Sequence, residues 1–94
     1  MQTVKFRNLT LTVHHTTYAD PQNPCLQLLD EDGGPYAIAS VNVDQVLLPG
    51  MVAIKTWSEN AGLYEALVDA KIISPKIAEI PCGFVSAAVC QLIT

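Results

Sequence analysis

Residues 56–73 read Thr-Trp-Ser-Glu-Asn-Ala-Gly-Leu-Tyr-Glu-Ala-Leu-Val-Asp-Ala-Lys-Ile-Ile, and the spacing within them decides the fold. Leu63, Leu67 and Ala70 recur at i, i+4 and i+7 with Ala66 beside them, which makes one apolar helical stripe. Glu65 and Asp69 face outward. Ser58, Glu59 or Asn60 can cap the start, and Glu59 suits the positive end of the helix dipole. Ser74-Pro75 stops the helix. Everywhere else the hydrophobic spacing is that of strands. One helix among many strands predicts an α+β fold: a single antiparallel sheet of five or six strands with one α-helix packed on one face.

Before the helix, Val4 and Phe6 alternate with Lys5 and Arg7, and Leu9, Leu11 and Val13 alternate with Thr10, Thr12 and His14. Arg7-Asn8 between them reads as a tight hairpin turn, because Asn tolerates the left-handed conformation. Residues 16–24 hold two prolines, an Asp and an Asn, and read as an irregular loop. Residues 25–30 form a third strand, ended by the turn Glu31-Asp32-Gly33-Gly34. Residues 35–43 form a fourth. Tyr36, Ile38, Ser40 and Asn42 lie on one face of it; Ala37, Ala39, Val41 and Val43 lie on the other, the better core face. Residues 44–50 carry Val46, Leu47 and Leu48 into a Pro49-Gly50 turn, and residues 51–56 form a fifth strand.

After the helix, Ile77 and Ile80 mark a short edge piece, and Pro81, Cys82 and Gly83 bend the chain. Residues 84–93 form an uncharged apolar strand, expected at the centre of the sheet with both faces covered.

Composition bounds the function. Ninety-four residues make one domain, residues 1–94, large enough to bury a core without staples. Half the residues are hydrophobic and 15% are charged, which argues against disorder. No apolar run approaches the ~18 residues that span a bilayer. The first residues alternate polar and apolar and show no signal-peptide core, so a cytoplasmic location is expected. Three cysteines, Cys25, Cys82 and Cys90, cannot all pair within one chain, which fits a reducing compartment. The net charge is −4, and the five basic residues are scattered, so direct nucleic-acid binding is not expected.

No catalytic, cofactor or metal set stands out. His14 and His15 point to opposite faces of a strand and cannot both ligate one ion. Asp30, Glu31 and Asp32 lack the spacing of a calcium loop, and Gly33-Gly34 is not followed by the Lys of a phosphate loop. Trp57 reads as a lid between helix and sheet, with an interface anchor as the alternative.

From Ser58-Glu59-Asn60-Ala61-Gly62-Leu63 through Ile72-Ile73-Ser74-Pro75, the chain resembles the bacterial domain-of-unknown-function family 4313. Gly83-Phe84-Val85, Leu26 to Gly33 and Pro35-Tyr36-Ala37 extend the resemblance over about three quarters of the chain. It departs at Lys71, where such proteins often have glycine, and at Lys76-Ile77-Ala78, where they carry a Thr-Gly-Arg turn. The resemblance implies an accessory protein of plasmids, phages or integrated elements.

The expectation is therefore a non-enzymatic protein-binding module of a mobile element, an inhibitor of a CRISPR-type host defence complex being one form. Its contact residues are expected to be Tyr18, Asp30, Glu31, Asp32 and Tyr36, facing a basic, nucleic-acid-handling partner. The alternative is a small ligand-binding or enzymatic domain that uses the loop at residues 16–24.

Overall fold

A hairpin starts the chain as its alternation requires. The computed structural model describes residues 2–43 and 47–93. Strands β1 (Thr3–Phe6) and β2 (Leu9–Thr17) pair antiparallel, with Phe6 opposite Leu9. Arg7 and Asn8 both take positive φ, 51° and 64°, as the favoured two-residue hairpin turn demands. Strand β3 (Pro24–Leu29) pairs with β2, and β4 (Pro35–Ile38) pairs with β3. These four make one sheet in the order β1-β2-β3-β4.

The expected single sheet of five or six strands is not what forms. A second, three-stranded sheet holds β5 (Met51–Ile54), β6 (Ala78–Cys82) and β7 (Val85–Gln91), in the order β5-β7-β6. The division arises within the segment read as one strand over residues 35–43. Through Ile38 it pairs with β3, and the Ala39 amide still donates to the Leu26 carbonyl at 2.9 Å. The Ala39 carbonyl, however, accepts from the Lys55 amide at 2.8 Å, and the Val41 amide donates to Ala53. Ser40 faces Ile54 in an isolated bridge. The chain passes from one sheet to the other at Ala39-Ser40. The Leu26 amide, left without the Ala39 carbonyl, donates instead to the Ser40 hydroxyl at 2.9 Å. Ser40 is thus buried, although alternation had assigned it to the solvent face.

The main core lies between the two sheets. Val4, Phe6, Leu11, Val13, Leu26 and Leu28 of the first sheet meet Val52, Ile54, Ala88 and Cys90 of the second. On the far side of the second sheet, Ala53, Ile80, Ala87 and Val89 pack beneath Leu47, with Trp57 half-buried against them. β7 therefore has a central place and two covered faces, within the smaller sheet. The turn before it is Gly83-Phe84, because Pro81 and Cys82 belong to β6. Gly83 takes φ +66°, the first position of a two-residue hairpin turn, and Phe84 at the tip is fully exposed. Proline is tolerated in β6 because that strand is an edge. Val46 lies outside the described residues.

The helix is shorter than its spacing implies. A 3₁₀ turn covers Ser58–Asn60, and α1 covers Leu63–Asp69. None of Ser58, Glu59 or Asn60 caps α1; Gly62 stands there at φ +89° without a side-chain cap. Asn60 is buried, and its Nδ2 donates to the Ile38 carbonyl at 2.8 Å. Leu63 and Leu67 are fully buried, but Ala70 lies past the last turn and is exposed.

The helix ends well before Ser74-Pro75. The Lys71 amide donates to Val68 and the Ile72 amide to Leu67, both at 3.0 Å, with Lys71 left-handed at φ +60°. This is a Schellman termination, and buried Ile72 and Leu67 supply its hydrophobic contact. Lys71 holds a conformation suited to glycine. Lys71→Gly is expected to stabilise the fold by about 0.5–1 kcal/mol, relief of left-handed strain exceeding the entropy glycine adds to the unfolded chain. A urea midpoint unchanged or lowered by the substitution counts against this reading.

All three cysteines are free; Cys25 and Cys90 are buried and Cys82 is half-buried. Burial pushes the Cys90 thiol up to about 11, so it remains a neutral, poor nucleophile near pH 7. Alkylation of the native protein should modify Cys82 first, with all three thiols reacting after denaturation. Equal native rates for Cys82 and Cys90 would contradict this packing. Among the described residues, no helix is long and apolar enough to cross a membrane.

Candidate functional site

The passage from sheet to sheet builds a surface around Tyr18, Ile38 and Trp57. β2 extends to Thr17, so the irregular loop begins only at Tyr18. It closes on itself: the Gln22 amide donates to Asp20 Oδ1 at 2.9 Å, the Asn23 amide to the Asp20 carbonyl at 2.9 Å, and the Tyr18 amide to the Asn23 carbonyl at 3.0 Å. Asn23 is buried, with Nδ2 donating to Asn42 Oδ1 at 2.7 Å, while its own Oδ1 has no partner among the described residues. These bonds fix the loop against residues 42–43.

Tyr18 is half-buried, and its hydroxyl lies 3.2 Å from the Ser40 hydroxyl and 3.3 Å from the Ser40 carbonyl. Burial raises the Tyr18 pKa, opposed by the Ser40 hydrogen bond and reinforced by Cys25. An open groove of about 470 Å³ lies beside it, walled by Ile38, Trp57 and the Lys55–Glu59 pair. That pair closes at 2.8 Å, and the bond from Lys55 lowers the pKa of the Glu59 carboxyl. A second open groove, about 290 Å³, lies along β4 with Tyr36 and Gln27 in its wall. Ile38 lines both. It is 49% exposed and Tyr36 is 39% exposed, so an apolar band runs Tyr36, Ile38, Tyr18, Trp57.

Two of the expected contact residues, Tyr18 and Tyr36, thus line neighbouring grooves that share Ile38. The acidic turn divides. Glu31 and Asp32 are exposed at the β3–β4 tip. Asp30 is half-buried, and its Oδ1 accepts from the Asp32 and Gly34 amides at 3.0 and 2.9 Å. Asp30 therefore shapes the turn that presents Glu31 and Asp32. Ile38 and Trp57 complete the band. The signal for Ile38 was present in its placement on the face of Tyr36. Phe84 gave no such signal, because turn position rather than residue type exposes it.

Among the described residues, His, Cys, Asp and Glu nowhere gather in threes as a metal site would require. The His15 ring bonds to Gln2 Oε1. Compared with protein-family models, curated proteins and solved structures, the chain matches none.

Proposed function

We propose that this chain is a non-enzymatic protein-binding module that engages its partner through the band Tyr36, Ile38, Tyr18 and Trp57. The observation that carries this is Ile38, a large apolar side chain half-exposed between aromatic rings on an otherwise polar sheet face. Contact energy concentrates in such aromatic and aliphatic anchors when a partner excludes water from them. Glu31 and Asp32 at the adjoining tip favour a basic partner by steering. The resemblance supports a further step: a mobile-element protein acting on a nucleic-acid-handling host complex, a defence complex included. The grooves at the band are open rather than enclosed, which favours a macromolecular partner over a small ligand held by the loop at residues 16–24.

The test is a titration against the partner recovered with the chain as bait. Ile38→Asp, and Tyr36→Ala combined with Asp32→Lys, should each weaken binding at least tenfold, about 1.4 kcal/mol, with circular dichroism unchanged. Asp30 is left intact because its substitution would open the turn. Parental affinity in both variants would place the contact surface elsewhere.

A further inference from the structure

At the opposite edge of the first sheet, β1 has a side that no described strand pairs, and it faces α1. The Val13 amide donates to the Gln2 carbonyl at 2.9 Å, and Phe6 closes the two-residue turn opposite Leu9. Alternation then pairs Gln2, Val4 and Phe6 with β2, and turns the N–H and C=O of Thr3 and Lys5 outward. An open groove of about 650 Å³ runs between that edge and α1. Gly62, Ala66 and Ala70 recur every fourth residue along its helical side, with Glu65 and Asp69 beside them.

The charges of the groove differ by wall. Lys5 and Arg7 stand on the strand side, Glu65 and Asp69 on the helix side, and among the described residues no ion pair joins the walls. Arg7 is already engaged: its guanidinium lies 4.7 Å from the Phe6 ring centroid, and Nη2 donates to the Ala61 carbonyl at 3.4 Å. It closes one end, leaving Lys5 as the available cation.

We propose that this groove binds an extended peptide segment of a protein partner, added to β1 as an outer strand. The outward groups of Thr3 and Lys5 supply main-chain bonds, and side chains supply selectivity. An acidic residue of the peptide would sit by Lys5 and a basic one by Glu65 and Asp69. Walls of opposite sign fit a segment carrying both charges; nucleic acid would be repelled by the carboxylates. A second copy offering its own β1 would bring its α1 against the first. The inference does not depend on the aromatic band, which lies at the other edge of the sheet.

The probe is a displayed library of random eight-residue peptides, selected on the full chain at physiological salt. Enriched peptides should combine β-forming residues with one acid and one base, and should shift the amide resonances of Thr3 and Lys5. Lys5→Pro deletes an outward N–H but no bond to β2, so it should weaken the selected peptide at least tenfold in a folded protein. Asp69→Lys, on the exposed helix side, should weaken it several-fold and serves if Lys5→Pro unfolds. Failure to enrich any peptide would overturn the proposal. So would peptides that shift Tyr36 and Ile38 instead, or that bind both variants like the parent.

Discussion

Leu67→Ala lowers the stability of this protein by roughly 2–5 kcal/mol. Leu67 is fully buried, belongs to the main core with Leu63, and gives the Schellman end of α1 its contact with Ile72. α1 has only seven residues, too few to persist alone in water, so its order comes from docking. Truncation removes apolar surface from the core and leaves a cavity that two packed sheets cannot readily collapse. For a domain of this size each kcal/mol is worth about 4–8 °C, so the melting temperature should drop by about eight degrees or more. Calorimetry measures this directly, and a midpoint within two degrees of the parent, on the order of experimental error, would mean that α1 docks by another face.

The second large effect is expected at Ser40. Its hydroxyl accepts the Leu26 amide and meets the Tyr18 hydroxyl, in a site that is 4% exposed. Ser40→Ala strands a buried amide donor, a loss of roughly 1–3 kcal/mol. The Leu26 amide should also exchange with solvent faster, since it alone loses its acceptor. Tyr18→Phe should add less in the Ser40→Ala background than in the parent, because the two side chains share one hydrogen bond. If neither the midpoint nor Leu26 exchange responds, Ser40 does not hold the junction between the sheets.

Where the chain obeyed local rules, it was legible. The Arg7-Asn8 hairpin follows from the tolerance of Asn for positive φ. The buried faces of β1 and β2 follow from alternation, with Leu9 the exception, and the Leu63–Leu67 stripe from helical spacing. Alternation also put Tyr36 and Ile38 on the outer face of their strand, together with Ser40, which the structure buries. A carboxylate at a turn looks alike in sequence whether it faces solvent or, as Asp30 does, accepts the amides of its own turn. Lys71 misled because a lysine gives no sign of a left-handed backbone. The docking of Ile72 beside Leu67 and the two hydrogen bonds of the Schellman end hold it there.

Strand and helix identity, the inward faces of β1 and β2 and the Arg7-Asn8 turn belong to the sequence by itself, since they depend on neighbours a few positions apart. The number of sheets belongs to the tertiary structure. At Ala39-Ser40 a carbonyl accepts either the amide of Leu26 or that of Lys55, and the two bonds are chemically the same. No side-chain pattern marks the choice. It is made by packing, when the apolar faces of both sheets close on one core and the chain between them must serve each.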